Sequence, residues 1–222
     1  MKTLKGVFLH YSSKLRNKVG ADMTEHYFSQ SPHSKSAKKS WRYNLRDRDF
    51  IFTSDVGVFS KKEVDYGSRL LIEKFNEPEV DGDILDLGCG YGPIGIAIAS
   101  DYQNREVFMV DINERAVSLA KQNAELNHLK NVRVFQSDRF SSLENFNFAA
   151  IVTNPPIRAG KKVVHQMFEG AKAHLLENGE LWVVIQKKQG APSAKDKLEE
   201  LFGEVDITAK DKGYYLLRCK NI

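Results

Sequence analysis

The chain has 222 residues, of which 41% are hydrophobic, 10% aromatic and 28% charged. That balance supports one large folded domain with a modest appendage and excludes disorder throughout. The longest apolar runs, Ile94–Ala99 and Leu181–Ile185, fall well short of the roughly 18 residues a membrane span needs. Val7-Phe8-Leu9 offers too little for a secretory signal. Cys89 and Cys219 lack the spacing of a zinc site or a disulfide framework. The expectation is a cytoplasmic protein without a metal or a membrane partner.

The net charge of +4 is unevenly spread. Residues 1–49 carry 11 Lys and Arg against 4 Asp and Glu, whereas residues 50–222 carry 22 against 25. Met23-Thr24-Glu25 reads as a second start, so residues 1–22 are expected to be either a loose, disordered leader or an artefact of start-codon choice. Residues 23–55 then form a basic N-terminal arm or subdomain, and residues 56–222 the main domain. In the arm, Lys35, Lys38, Lys39, Arg42, Arg46 and Arg48 are interleaved with Trp41 and Tyr43. Cations that contact phosphates and rings that stack on bases hold exposed nucleic acid in this way; a solvated basic extension reads the same.

Asp65–Phe75 has apolar residues at helical spacing and stops before Pro78 and Asp81-Gly82. Asp83–Leu87 is a short buried strand running into glycine, Pro93–Ser100 an apolar helix, and Val107–Asp111 the next strand. Asn113 suits the N-cap of a helix reaching Leu126, with Ala116, Leu119, Ala120, Asn123 and Ala124 on one face. Strands at Val132–Phe135, Phe148–Thr153 and Leu181–Gln186 alternate with helices at Val164–Leu176 and Asp196–Phe202. Such alternation predicts a doubly wound α/β fold, a parallel sheet covered on both faces. The tail differs. Val205–Thr208 and Tyr214–Cys219 flank only the turn Asp211-Lys212-Gly213, so they must pair antiparallel and one strand runs backwards.

Strand, glycine-rich turn and helix together set backbone amides and a helix N-terminus against a ligand. Gly90-x-Gly92-x-x-Gly95 matches the dinucleotide fingerprint. Asp111, about 20 residues on at the next strand end, suits the ribose of a nicotinamide cofactor equally well. Asp86, inside the first strand of Asp86-x-Gly88-x-Gly90-x-Gly92, separates the readings. A carboxylate there repels a pyrophosphate but favours a ligand with a cationic amino-acid end.

With that acid the chain resembles the class I S-adenosylmethionine-dependent methyltransferases, whose first motif is seen here as Asp86-Leu87-Gly88-Cys89-Gly90-Tyr91-Gly92. Asp111 at the second strand end and Gln136-Ser137-Asp138 at the third continue the likeness. The resemblance implies a Rossmann-like, mostly parallel seven-stranded sheet with one antiparallel strand. It also implies that Asp86, Gly88, Cys89, Gly90, Gly92, Asp111, Ile112, Asp138 and Asn154 bind S-adenosylmethionine. The glycines then face its methionine part, Asp111 holds both ribose hydroxyls, and Asp138 meets the adenine amino group.

Asn154-Pro155-Pro156 follows the fourth strand. Prolines at a strand end are ordinary punctuation. In class I methyltransferases that modify planar amines, however, an (Asn/Asp)-Pro-Pro-aromatic tetrapeptide lies beside the methyl donor. An exocyclic amine or an amide nitrogen is a poor nucleophile because its lone pair is delocalised. The Asn154 oxygen and the Pro155 carbonyl can accept both of its N–H bonds and hold the nitrogen in line with the methyl. No strong base is required, since the nitrogen can lose its proton once cationic. Asn154, Pro155 and Pro156 are therefore the expected catalytic residues.

Ile157 stands where the aromatic would be, which argues against adenine-N6 DNA enzymes and glutamine-N5 enzymes. The run Asn154–Lys161, followed by His165, resembles the RsmC-like family of ribosomal RNA small-subunit guanine-N2 methyltransferases. So do Gly57-Val58-Phe59-Ser60 and Asp65-x-Gly67-Ser68-x-Leu70-Leu71, and the likeness covers roughly residues 23–220. It implies 16S ribosomal RNA or the small ribosomal subunit as partner, with Phe59, Ile157, Arg158 and Lys161 at the substrate. Many relatives have two methyltransferase-like halves; with one, this chain is left with the basic segment as its source of RNA affinity. Phe59 reads equally as a core aromatic, Arg158 and Lys161 as a solvated loop, His165 as a hydrogen-bonding residue near a helix start, and Trp182 as core. A protein glutamine, a small-molecule acceptor or a non-catalytic RNA-binding role stays open on the residues alone.

Overall fold

In a computed structural model, which describes residues 37–55, 58 and 63–222, the chain opens with an antiparallel hairpin of β1 (Lys39–Leu45) and β2 (Arg48–Ser54). The expected leader and Gly57, Phe59 and Ser60 lie outside the described residues. Then follow α1 (Tyr66–Lys74), β3 (Ile84–Leu87), α2 (Pro93–Asp101), β4 (Val107–Asp111), α3 (Glu114–Leu126) and β5 (Val132–Gln136). The second half holds β6 (Phe148–Thr153), α4 (Lys161–His174), β7 (Leu175–Gln186), α5 (Ala191–Phe202), β8 (Asp206–Asp211) and β9 (Tyr214–Lys220). No helix among the described residues is long and apolar enough to cross a membrane.

Helix boundaries follow local chemistry. Asp65 caps α1 by accepting the Ser68 N–H, and Asn113 caps α3 by accepting those of Arg115 and Ala116. Pro93 sits in the first turn of α2, where its missing N–H costs nothing. Every residue of α2 from Pro93 to Ala99 is buried, as expected of a helix that is apolar on all sides. α5 starts at Ala191, five residues before the predicted start. Gly190 takes the left-handed conformation and Pro192 fits the first turn, so the chain turns helical at once.

Strands β3 to β9 form one sheet in the order β5-β4-β3-β6-β7-β9-β8. All neighbours are parallel except β9, which runs antiparallel to both β7 and β8, as the short Asp211-Lys212-Gly213 turn predicts. The central strands β3 and β6 are buried along their whole length. On β7, Trp182 and Val184 join the core beneath α1 to α3, whereas Leu181, Val183 and Ile185 join the core beneath α4 and α5. From β3 the chain winds outward to β4 and β5 and then returns to β6 on the other side. Between β3 and β6, therefore, the carboxyl ends of the strands open a crevice.

The hairpin is where the structure departs most from the sequence reading. The sequence leaves its basic residues open to a nucleic acid or to solvent, whereas Arg46 and Arg48 are tied into the fold. Arg46 pairs with Asp101 at 2.7 Å and donates to the Phe75 carbonyl, and Arg48 donates to the Ser100 carbonyl at 2.8 Å. Trp41 packs edge-on against Tyr91 at 5.8 Å and lies beside Phe52, while Leu45, Phe50 and Phe52 enter the core. Both cationic heads and the indole are thus engaged by the chain itself.

Among the described residues β2 has no strand on its outer side, and the side chains of Asn123 in α3 and of Asn127 at its C-cap take that place. Asn127 accepts the Ile51 N–H at 2.9 Å and donates to the Ile51 carbonyl at 2.8 Å. Asn123 treats Thr53 likewise, at 2.7 and 2.9 Å. The match is metrical: four helical residues rise about 6 Å, close to the roughly 6.6 Å of two strand residues.

Candidate functional site

A cavity of about 270 Å³ occupies the crevice. The end of β3 and the turn after it contribute Leu87 and Gly88, the end of β4 and the residue after it Val110, Asp111 and Ile112, and the loop after β5 Ser137, Asp138 and Arg139. The loop after β6 contributes Asn154, Pro156 and Ala159, and α4 contributes Val163 and Met167. Residues more than 60 positions apart thus meet because parallel strands bring their carboxyl ends to one edge.

The glycine turn forms one wall. Gly88 and Gly90 have φ of 80° and 57°, the left-handed region that favours glycine. The N–H groups of Gly88 and Cys89 both donate to the Val110 carbonyl at 2.9 Å, which fastens the turn to β4. A Cβ added at Gly88 or Gly90 would meet nothing within 4 Å, so the backbone there faces open space. Cys89 is buried, and burial raises its thiol well above the ordinary range, leaving an unreactive group. Gly92 packs against Ala120 and Ile96 instead of facing the cavity.

Asp111 is held at both oxygens. Gly90 N–H reaches one at 2.9 Å and Asn113 N–H the other at 2.8 Å, while burial raises its pKa. Its carboxylate is therefore fixed on the cavity rim beside Ile112. Asp138 also lies on the rim, paired with Arg139 at 2.9 Å. Arg139, which the sequence reading overlooked, lines the cavity and is anchored on α4 by Gln166.

Asp86 has a different position from the one expected. It is completely buried behind the glycine turn and is not part of the cavity wall. One oxygen accepts the Gly95 N–H at 2.9 Å, serving an amide of the first turn of α2; the other has no hydrogen-bond partner among the described residues. Burial pushes its pKa up to about 7, with the Gly95 N–H opposing and Asp111 adding to the rise.

Opposite the glycines stands the asparagine–proline corner. Thr153 donates to the Leu87 carbonyl at 2.8 Å and so ties the end of β6 to the end of β3. The Asn154 Nδ2 group donates to Asp65 at 3.0 Å and to the Ser68 hydroxyl at 3.1 Å. Pro155 is buried and Pro156 lines the cavity. Ile157 is half-buried against the core beneath α4 and α5 and is not part of the wall, whereas Arg158 and Lys161 are exposed. His165 stacks on Phe168, and burial with the neighbouring Lys161 lowers its pKa. No group of three or more His, Cys, Asp or Glu among the described residues is arranged to hold a metal ion.

The family model for the methyltransferase small domain matches residues 49–218. The chain belongs to the methyltransferase small domain family. Among the relatives of this family member, a Bacillus subtilis protein named as uncharacterized YbxB is 61% identical over 90% of the chain and 100% of its own length. The ribosomal RNA small subunit methyltransferase C of Actinobacillus pleuropneumoniae is 33% identical over 88% of the chain, which spans only 59% of that enzyme's length. Among solved structures, the Thermus thermophilus 16S rRNA N2 G1207 methyltransferase (RsmC), in complex with AdoMet and guanosine, superposes with a TM-score of 0.75 at 29% identity. That match covers 86% of this methyltransferase small domain protein and 52% of the other chain.

Proposed function

We propose that this chain is an S-adenosylmethionine-dependent N-methyltransferase whose acceptor is guanine N2 of small-subunit ribosomal RNA. The observation that carries the reading is the Asn154 side chain at the cavity rim, its amide nitrogen engaged by Asp65 and Ser68 and its oxygen left for an amine. The bare backbone at Gly88 and Gly90 and the pinned Asp111 carboxylate fit the donor: open space over the glycines for its methionine part, Asp111 for its ribose hydroxyls. The donor supplies an electrophilic methyl group on a cationic sulfur. The residues of the chain do the rest. Asn154 Oδ1 and the Pro155 carbonyl accept the hydrogens of the incoming amine, orient its nitrogen and stabilise the positive charge that grows on it.

Two further observations support an RNA acceptor. A relative named as ribosomal RNA small subunit methyltransferase C aligns along 88% of the chain. Arg158, Lys161, Lys162, Lys187, Lys188 and Lys212 are exposed without an ion pair among the described residues. They follow β6, β7 and β8, at the same sheet edge as the cavity. A rim of exposed cations attracts the phosphate backbone that carries the target base. The base itself must be unpaired or flipped to enter.

The test is incubation of small subunits and of protein-free ribosomal RNA with the protein and methyl-labelled donor, followed by nucleoside mass spectrometry. The reading expects N2-methylguanosine, with label lost to ribonuclease and retained after protease. Label with the opposite sensitivity would identify a protein acceptor.

A further inference from the structure

The Asn154 side chain has an acceptor end and a donor end of nearly the same shape, and an amine with two N–H bonds can use only the acceptor. We infer that Asp65 and Ser68 are positioning residues that lock this amide with its oxygen toward the cavity, an inference that rests on the methyl-transfer reading above.

Asp65 accepts the Ser68 backbone N–H at 3.1 Å, the Ser68 hydroxyl at 2.6 Å and Asn154 Nδ2 at 3.0 Å. All three partners are donors, which an ionised carboxylate satisfies with no proton of its own. The Ser68 hydroxyl, its hydrogen directed to Asp65, offers lone pairs to the same Asn154 nitrogen at 3.1 Å. A flipped amide would turn its oxygen onto a carboxylate and a lone pair and leave both without a donor. Nδ2 is therefore held on the α1 side and Oδ1 is free for the cavity.

The lock is built on a rigid base. Asp65 is the N-cap of α1, and Ser68 is buried in the same helix beside Leu70, Leu71 and Ile72. The charge of Asp65 also polarises the amide it holds, which strengthens Oδ1 as an acceptor and favours a cationic nitrogen beyond it. The same charge is felt at Tyr214, whose phenol is pushed up first by burial and then by Asp65.

The test exchanges the two partners. Asn154→Asp sets two carboxylates against each other and should lower kcat by about 10- to 100-fold, the equivalent of one charge-assisted hydrogen bond. Adding Asp65→Asn lets residue 65 donate to the new carboxylate, whose other oxygen still accepts the amine, at the expense of the Ser68 N–H bond to the same atom of residue 65. The double variant should return to within a few-fold of wild type, with donor affinity and KM for RNA unmoved throughout. Asp65→Ser keeps the helix cap but is too short to reach Asn154, and it should lower kcat by about tenfold. A double variant as slow as Asn154→Asp, or an Asp65→Ser protein with full kcat, would overturn the inference, provided circular dichroism finds both folded. Hydrogen exchange of the Asn154 side-chain amide separates this inference from the function. Slow exchange supports the lock whatever the acceptor proves to be, and fast exchange overturns it. Slow exchange in a protein that methylates no amine would count against the proposed function alone.

Discussion

Asn123 forms with Thr53 the two hydrogen bonds that a neighbouring strand would form, and it donates as well to the Tyr91 carbonyl at 2.8 Å. One fully buried side chain thus joins the N-terminal hairpin to the glycine turn that walls the cavity. Asn123→Ala would strand three backbone groups, each costing about 1–3 kcal/mol when buried without a partner. Urea unfolding should show a loss of about 3 kcal/mol or more. Asn127→Ala, at a half-buried position that water can reach, should lose about 1 kcal/mol. Equal losses would contradict the difference in burial.

Two glycines separate binding from folding. Gly88→Ala puts a methyl group into open space at a positive φ. It should cost about 1–2 kcal/mol in strain but weaken donor binding at least tenfold by calorimetry, a loss of about 1.4 kcal/mol or more. Gly95→Ala would drive its Cβ into the Met109 side chain, which is fully buried. Overpacking there should lower stability by about 1–3 kcal/mol and shift the thermal midpoint far more than it shifts affinity relative to Gly88→Ala.

Asp86 gives the fold a pH dependence. Its pKa of about 7 in the folded chain exceeds the ordinary 3.8, so the folded state keeps a proton that the unfolded chain has released. Stability from this group is full below pH 3.8, falls as pH rises toward about 7 and levels off above. Asp86→Asn keeps an oxygen for the Gly95 N–H and removes the slope. Wild type and variant should have matching unfolding free energies below about pH 3.5 and differ above pH 7 in favour of the variant, on the order of 4 kcal/mol. Parallel profiles would mean that the second oxygen already has a partner.

The parts of the site that could be read from the sequence are those encoded within one strand–turn–helix unit. Asp86 to Gly92 names its own turn, and Asn154-Pro155-Pro156 ends a strand whose apolar run is unambiguous. What escaped are pairings across long separations. Asp65 meets Asn154 from 89 residues away, and nothing near either residue announces the other. Asp86 reads as a ligand-facing acid, but the packing of α2 closes over it. In the hairpin, the alternation of Trp41, Tyr43 and Leu45 with Phe50 and Phe52 marks two strands, yet the density of cations hides it. The partners of Arg46 and Arg48 lie 29 to 55 residues on, so those cations read as free.

The most direct measurement is donor affinity and single-turnover methyl transfer, taken in parallel on wild type and Asn154→Ala. The account expects affinity within about threefold of wild type and a rate lower by about 100-fold or more, the scale of losing one acceptor aimed at developing charge. An undiminished rate, or a rate that falls only because the donor no longer binds, would contradict it.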